Sequence, residues 1–390
     1  MTNFVTSRKG LLVVDRTIVH QFNPERPAVG GIDTVIRDVV KSSSPDDRWS
    51  IVGVQSAELG NSGLWQWRDT EIEGRPVRFM PVAAINPDEQ RRRVPHTLRL
   101  VAGLLRAGRP ALPGVLHVHR VDLAAVLTRL YPGSEMVLWI HNNTVSAIGR
   151  NSDSMWRHLN RVHGLVERLA IKRARSVVTA GKPELERVSA MHDTCFELPA
   201  WYDDSLFHRA DDRNGLQSEV LNVAWAGRLE APKDPNLALD VMAELRRRGE
   251  KVKLNIYGSG TLESGLQRRI TDESLDDVVS LCGPLPRAQL ASHLAEADVL
   301  LMTSHFEGSP RILVEALGCG TPVAGPASID PAGVISSTNG GIAAARTSEA
   351  IADVVMSTPR LNRKDVSASV AANAARTLVP DFLARLDGPS

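Results

Sequence analysis

The organisation of the chain is clearest in one stretch, DVLLMTSHFEGSPRILVEALGCGTPV, which runs from Asp298 to Val323. Its opening residues, Val299 to Met302, are apolar enough to form a buried strand. A helix is predicted next, with Ser309 as its N-cap and Pro310 in the first helical position, which proline favours. The apolar helix ends at the Gly-Cys-Gly sequence, and another extended run begins after it. This strand–helix–strand pattern is typical of a parallel α/β sheet.

Two carboxylates flank the predicted start of that helix. Glu307 lies in the loop before it, and Glu315 lies eight residues further on among apolar neighbours. In an open α/β sheet, ligands bind outside the carboxyl ends of the strands, against helix N-termini that attract anions. A carboxylate among apolar neighbours needs hydrogen-bond donors. The alternative is that Glu315 is an ordinary helix residue that faces solvent or pairs with an arginine.

The composition is that of an ordinary two-domain globular protein. The 390 residues are enough for two cores, and the hydrophobic share of 43% and the charged share of 23% are normal. The sequence has no apolar run of the length that spans a membrane, and its N-terminus lacks the layout of a signal peptide. Three widely spaced cysteines predict neither disulfides nor a zinc site and fit a cytoplasmic location. The net charge of +1 gives no sign of a nucleic-acid partner.

Strands alternate with helices in both halves of the sequence, which predicts an α/β fold with two doubly wound, Rossmann-like domains. A polar connector, residues 209–218, separates the two halves. The predicted N-terminal domain comprises residues 1–205 and the C-terminal domain comprises residues 206–375. Residues 376–390 form a final segment.

Candidate ligand-binding residues follow several predicted strands. Gly30 and Gly31 precede a helix, and paired glycines let backbone N–H groups approach a ligand closely. Arg228 and Lys233 follow the strand at 221–226. If that strand lies near the strand before Glu307, two cations and a helix N-terminus meet at one sheet edge and form a diphosphate site. The alternative is that both cations are ordinary surface charges.

His141 directly follows the apolar run MVLWI, at the carboxyl end of a predicted strand. A site residue is expected at that place, although a capping or loop histidine fits equally well. The sequence has no Asp-x-Asp pair, so no metal site and no cofactor are predicted. It also lacks a GxGxxG fingerprint after its first strand and a GxxxxGK[ST] loop, which argues against a dinucleotide dehydrogenase and a P-loop nucleotidase.

A basic segment, residues 91–109, follows in the N-terminal half. Residues 1–205 hold 27 Lys and Arg against 22 Asp and Glu. Within the segment, several arginines lie beside a predicted apolar helix face. The arginines are Arg91, Arg92, Arg93, Arg99 and Arg106. The apolar face comprises Leu98, Val101, Leu104 and Leu105. A basic amphipathic helix can lie on an anionic membrane, but such helices also pack on their own sheet. Both interpretations stay open.

Five stretches of the C-terminal half together resemble glycosyltransferase family 4. They are Gly227-Arg228-Leu229 with Lys233, Ile256-Tyr257-Gly258-Ser259-Gly260, Ala297-Asp298-Val299, Glu307-Gly308-Ser309-Pro310, and Glu315 through Pro322. The N-terminal half carries weaker matches at Gly30-Gly31, His117-Val118-His119 and Trp139-Ile140-His141. The spacing of Glu307 and Glu315, followed by ALGCGTPV, is the most specific part of the resemblance.

The resemblance implies a retaining, metal-independent hexosyltransferase with the GT-B fold, in which two Rossmann-like domains face a central cleft. Its donor would be a nucleotide-diphosphate sugar and its acceptor a glycan, glycolipid or small molecule. The N-terminal domain would bind the acceptor, and residues 376–390 would cross back onto it. A location at the inner membrane face is implied if the basic segment binds lipid.

The resemblance also implies roles for individual residues. Glu315 would bind the ribose, while Arg228 and Lys233 would hold the diphosphate. Glu307 would act at the donor sugar, and His141 would lie beside it. The remaining substrate-binding candidates are Gly30, Gly31, Gly258, Cys282, Gly283 and Leu285 (the last three near the base), and Gly308, Ser309, Pro310, Arg311 and Ile312 near the sugar.

Other activities are compatible with the same fold. A sugar-nucleotide epimerase or a phosphorylase would share the donor site. A non-catalytic nucleotide-sugar-binding protein is disfavoured because all four charged site positions, Arg228, Lys233, Glu307 and Glu315, are present.

Overall fold

The computed structural model of the chain describes residues 5–6, 12–26, 30–85, 96–141, 160–209, 218–330, 333–335 and 339–388. The chain divides into two compact units, each with its own sheet. Unit 1 comprises residues 1–198 and 379–390, and unit 2 comprises residues 199–378. The sequence predicted the first boundary at 205. That boundary lies earlier because Tyr202 is buried in the core of unit 2, among side chains such as Leu313.

Unit 1 contains a predominantly parallel sheet. Its described strands are β1 (Val5–Thr6), β2 (Leu12–Val19), β3 (Asp47–Gln55), β4 (Arg68–Ile72), β5 (Arg75–Ala84), β6 (Val115–Val118), β7 (Met136–Ile140), β8 (Ser176–Thr179) and β9 (Cys195–Glu197). Their order is β4-β5-β3-β2-β6-β7-β8-β9, and β1 pairs with β2. The β1–β2 and β4–β5 pairs are antiparallel, whereas the other pairs are parallel.

The described helices of unit 1 are α1 (Gly31–Ser42), α2 (His96–Arg106), α3 (Val121–Leu130), α4 (Asn160–Arg173) and α5 (Lys182–Ser189). Parallel strands covered on both faces are continuous apolar runs rather than alternating ones. Strand β7 fits this rule, because all five of its residues are buried. Such runs made the strands recognisable in the sequence.

Unit 2 contains an entirely parallel sheet in its described part. Its strands are β10 (Leu221–Ala226), β11 (Val252–Tyr257), β12 (Val279–Gly283), β13 (Val299–Leu301), β14 (Val323–Pro326) and β15 (Gly341–Ala344), in the order β12-β11-β10-β13-β14-β15. Its helices are α6 (Pro235–Arg247), α7 (Glu263–Asp272), α8 (Arg287–Glu296), α9 (Arg311–Gly318), α10 (Ser348–Ser357) and α11 (Arg363–Ser369). The strand order reverses between β10 and β13, and this reversal defines the topological switch point of the sheet.

The last helix, α12 (Ala375–Asp387), begins in unit 2 and contributes its residues from Val379 onward to unit 1. Phe382 packs edge-on against Trp139 of β7, with ring centroids 5.9 Å apart. Asp387 pairs with the buried guanidinium of Arg16 on β2, which also holds Asp47 at 3.0 Å. A buried arginine needs such partners because its charge is costly to desolvate.

Helix α2 does not have the single apolar face that was predicted within residues 91–109. Leu104 is buried in the core of unit 1, so it does not share an outward face with Leu98 and Leu105, which are exposed. The helix lies close to β5, because a Cβ atom at Gly103 would be only 2.0 Å from the Val82 carbonyl oxygen. Arg91, Arg92 and Arg93 lie outside the described residues. Helices in the described ranges lack the combination of length and apolar character that crossing a bilayer requires.

Candidate functional site

The candidate residues of unit 2 lie at the carboxyl ends of β10 and β13. These strands are parallel neighbours, with Val223 opposite Val299 and Ala224 opposite Leu300. The loop that carries Arg228 and Lys233 therefore leaves the sheet beside the loop that carries Glu307. This adjacency is the condition on which the predicted anion site depended. It occurs at the switch point, where open α/β sheets bind their ligands.

An ion pair joins the two loops. The Lys233 Nζ atom lies 2.6 Å from Glu307 Oε1, and the hydroxyl of Ser304 donates to the same oxygen at 2.5 Å. Only 7% of Glu307 is exposed. A carboxylate this buried requires donors, and Lys233 and Ser304 supply them. Lys233 is therefore paired with a buried carboxylate rather than an isolated surface charge.

A second set of hydrogen bonds joins the same two loops. The indole of Trp225, on β10, donates to Thr303 Oγ1 at 2.9 Å. The Thr303 hydroxyl in turn donates to the Lys233 carbonyl oxygen at 3.0 Å. The backbone N–H of His305 donates to the Pro232 carbonyl oxygen, also at 3.0 Å. These contacts hold the backbone at Pro232 and Lys233 against residues Thr303 and His305, which precede Glu307.

Arg228 has a different environment. Its side chain is 71% exposed and pairs with Glu230 at 2.8 Å. Exposed ion pairs contribute little free energy, typically below about 1 kcal/mol. Arg228 can therefore exchange Glu230 for an anionic ligand at small cost, whereas Lys233 is held by a buried partner.

Helix α9 begins at Arg311, and Pro310 is its N-cap residue. The prediction of Ser309 as the N-cap and Pro310 as the first helical residue is wrong by one position. The reason is the backbone of Pro310, whose ψ of 88° lies far from the helical value. Among the described residues no side chain caps this helix. In the first turn, the backbone N–H of Leu313 donates to the Pro310 carbonyl oxygen at 3.2 Å.

Glu315 is 7% exposed and lies between two arginines. Its Oε1 atom is 3.3 Å from an Arg287 guanidinium nitrogen and 3.5 Å from one of Arg311. Glu315 thus has the donors that a carboxylate on an apolar helix requires. The spacing of Arg311 and Glu315 made their contact foreseeable. Arg287, on α8, was missed because nothing in the sequence links it to α9.

Gly258 brings the loop after β11 against the loop after β10. Its φ is +145°, and a Cβ atom there would lie 1.8 Å from the Gly227 carbonyl oxygen. Its N–H donates to the Gly283 carbonyl oxygen at 2.9 Å. Gly283 and Cys282 end β12, and Cys282 is exposed. Leu285 packs on the apolar cluster that includes Tyr257.

The candidates of unit 1 include a histidine cluster that the sequence indicated only in part. His20, His119 and His141 follow β2, β6 and β7, which are adjacent strands. His119 Nδ1 lies 2.8 Å from His141 Nε2, and the rings of His20 and His119 are 5.7 Å apart. Burial lowers the pKa of His20 to about 3 and that of His119 well below its ordinary value. Both rings are therefore neutral at pH 7.

Helix α1 begins at Gly31 with Gly30 as its N-cap. The φ of Gly30 is −173°, which is extended backbone that any residue can adopt. A Cβ atom at either glycine would meet nothing within 4 Å. Neither local strain nor crowding thus requires these glycines. Among the residues that the structure describes, no group of His, Cys, Asp and Glu is arranged to hold a metal ion.

The fold is that of the GT-B glycosyltransferases, with two Rossmann-like domains. Sucrose-phosphate synthase from Thermosynechococcus elongatus superposes with a TM-score of 0.75 at 15% identity, over 96% of this chain and 98% of that one. WaaG, a glycosyltransferase involved in lipopolysaccharide biosynthesis, superposes with a TM-score of 0.65 at 14% identity, over 96% of this chain and 100% of that one. Anabaena HepE in complex with UDP-glucose superposes with a TM-score of 0.67 at 14% identity, over 95% of this chain and 99% of that one.

The match to a family model lies within unit 2. Residues 209–373 match the family model described as glycosyl transferases group 1. The D-inositol 3-phosphate glycosyltransferase of Pseudarthrobacter chlorophenolicus is 33% identical over 114 residues, 28% of this chain and 27% of that protein. The amylovoran biosynthesis glycosyltransferase AmsK of Erwinia amylovora is 32% identical over 111 residues, 27% of each chain. The chain thus matches about a quarter of the length of these curated relatives.

The close approach at Gly258 yields a stability prediction. Gly258→Ala should destabilise unit 2 by about 1–3 kcal/mol, because the new methyl group overlaps a backbone carbonyl that cannot move alone. Gly265→Ala is the matched control, since Gly265 lies in α7 with nothing within 4 Å of a new Cβ. It should stabilise by about 0.5–1 kcal/mol. Urea unfolding of both variants measures the difference, and equal stability of Gly258→Ala and the wild type would contradict the packing described above.

Proposed function

We propose that the chain is a retaining glycosyltransferase of family 4, which moves a hexosyl group from a nucleotide-diphosphate sugar to a glycan, glycolipid or small-molecule acceptor. The observation that carries this proposal is the Lys233–Glu307 pair at the switch point of unit 2, beside the start of α9. A cation and a carboxylate beside the N-terminus of a helix together suit a sugar diphosphate. The family match covers all of these residues.

In the proposed reaction the bond between the sugar C1 and the diphosphate oxygen breaks. The acceptor oxygen bonds to C1 on the same face, and its proton passes to the leaving phosphate oxygen. Arg228 and Lys233 stabilise the charge that develops on the departing nucleoside diphosphate. No metal ion or cofactor takes part in this scheme, because the two cations neutralise the leaving group.

The two carboxylates serve different parts of the donor. Glu315 accepts hydrogen bonds from the ribose hydroxyls while Arg287 and Arg311 hold it, since a carboxylate has about four acceptor sites. Glu307 and the backbone of residues 308–312 contact the sugar, and the base packs near Cys282, Gly283 and Leu285. In unit 1, His141 lies beside the transferred sugar. The loop of Gly30 and Gly31 lies near the phosphates or the acceptor.

The first test is donor binding followed by transfer. One UDP-, GDP- or ADP-sugar should raise the melting temperature, because a ligand that binds only the folded state stabilises it. Transfer from that donor should persist in excess EDTA. Lys233→Ala should lower kcat by about 10²–10³-fold, because one preorganised charge contact to the leaving group is lost.

The outcomes of this test separate the competing activities. Strict dependence on added manganese or magnesium would contradict the proposed role of the two cations. Turnover only with free phosphate as acceptor would identify a phosphorylase, and conversion of the donor without any acceptor would identify an epimerase. Donor binding with no turnover under any of these conditions would identify a non-catalytic binding protein.

Substitution of the two carboxylates should change the kinetics in different ways. Glu315→Ala should mainly raise the donor KM, because the ribose does not change during the reaction and its binding is uniform. Glu307→Gln should lower kcat with a smaller effect on KM, because it removes a charge that favours the positive sugar ring of the transition state. Steady-state kinetics with varied donor measure both effects. Normal turnover by Glu307→Gln, together with a loss of kcat in Glu315→Ala, would reverse the two roles.

We further propose that α2 contacts an anionic membrane surface, which would place the protein peripherally at the inner membrane face. Leu98 and Leu105 are exposed one above the other on this helix, and Arg106 is exposed beside Leu105. Apolar side chains flanked by arginines suit a lipid headgroup region, where each cation contributes about 1 kcal/mol. The acceptor would then be a glycolipid.

Co-sedimentation with liposomes tests the membrane proposal. The wild type should bind vesicles that contain anionic lipid at low salt and release them at high salt. The double variant Leu98→Ser/Leu105→Ser should lose this binding. Leu165→Ser is the matched control, because Leu165 is more exposed than Leu98 and Leu105 but lies on α4. Absence of wild-type binding at low salt would contradict the proposal and favour a soluble acceptor.

A further inference from the structure

We propose that Arg346 is a positioning residue that holds the Lys233–Glu307 pair in its reactive geometry. This inference rests on the proposed transferase function. Arg346 lies just after β15, between that strand and α10, and outside the motifs that the sequence analysis identified. It reaches the carboxyl ends of β10 and β13 through its guanidinium group alone.

Three hydrogen bonds define the contact. The Arg346 guanidinium donates to the carbonyl oxygens of Thr303 and Ser304, each at 2.9 Å. It also donates to Asp234 Oδ2 at 2.6 Å. One planar side chain thus joins the loop after β10 to the loop after β13. Only arginine has the fork of donors that such a clamp requires.

Each partner of Arg346 is next to, or bonded to, a member of the ion pair. Asp234 directly follows Lys233, has a left-handed backbone with φ of +47°, and caps α6 through Leu237 N. Ser304 donates its hydroxyl to Glu307, and Thr303 donates to the Lys233 carbonyl. Moving Arg346 would therefore move Lys233 and Glu307 relative to each other.

Arg346 also offsets a charge that would oppose the donor. Asp234 is negative and adjacent to Lys233, so without a cation it would repel a diphosphate bound at Lys233. His305 Nε2 lies 3.4 Å from the same Asp234 oxygen, but an imidazole carries a charge only when it is protonated. Because Arg346 already donates to two carbonyls and a carboxylate, it acts through the loops and does not need to touch the donor.

A double-mutant cycle tests this role. Arg346→Met should lower kcat/KM for the donor by about tenfold to a hundredfold, since small displacements of reacting groups have effects of that size. In the Lys233→Ala background, the same change should lower it by less than about threefold, because one member of the pair that Arg346 positions is absent. A general loss of stability would instead reduce activity equally in both backgrounds.

Arg269→Met is the matched control. The side chain of Arg269 is 26% exposed against 28% for Arg346, and it also bridges two elements, with bonds to the Asn236 carbonyl oxygen, Asp240 and Glu273. It lies on α7 and shares none of its bonding partners with Arg346. Arg269→Met should change kcat/KM by less than about twofold, as expected for a site with no shared partners. Arg346→Lys, which keeps the charge but loses the fork, is the second variant in case Arg346→Met does not fold.

A second readout does not depend on catalysis. The Lys233 amine should react faster with acetic anhydride in Arg346→Met and Arg346→Lys than in the wild type, relative to the exposed Lys251. Arg269→Met should leave this ratio unchanged. Unchanged Lys233 labelling, or equal losses of activity in the two backgrounds, would overturn the proposal. Altered labelling in a protein that transfers no sugar would support the positioning role and reject the transferase function.

Discussion

The constraint on which the site of unit 2 depends is the burial of a carboxylate where two parallel strands end together. Glu307 is almost fully buried, and an unpaired charge there would be far costlier than an exposed one. The loops after β10 and β13 must therefore bring Lys233 and Ser304 within hydrogen-bond reach of it. The Trp225–Thr303 bond and the uncapped start of α9 belong to the same arrangement.

The strand and helix pattern could be predicted from the sequence because buried parallel strands are uninterrupted apolar runs. The adjacency of β10 and β13 could not, since two strands, β11 and β12, separate them along the chain. The sequence supports only a conditional statement: if these strands are neighbours, Arg228 and Lys233 meet the loop of Glu307. The reversal of strand order at β10 satisfies that condition.

Two arginines that sequence reasoning missed share one property, which is that they act across long separations along the chain. Arg287 reaches Glu315 and Arg346 reaches Asp234 from elements with no local link to them. The one-residue error at the N-cap has a different origin. Pro310 suits either the cap or the first helical position by its φ, and its ψ is set by the loop that must also place Glu307. Local propensity alone does not determine such boundaries.

The two cations of the proposed diphosphate site, Arg228 and Lys233, differ in how tightly they are held, and that difference suits the proposed chemistry. Arg228 is exposed and weakly paired, so it can meet an incoming anion early. Lys233 is tied to a buried carboxylate, so any diphosphate must share it with Glu307. An anion that gains charge as its bond to the sugar breaks competes for Lys233 better in the transition state than in the ground state. Interactions that strengthen in this way accelerate a reaction, whereas uniform ones only improve binding.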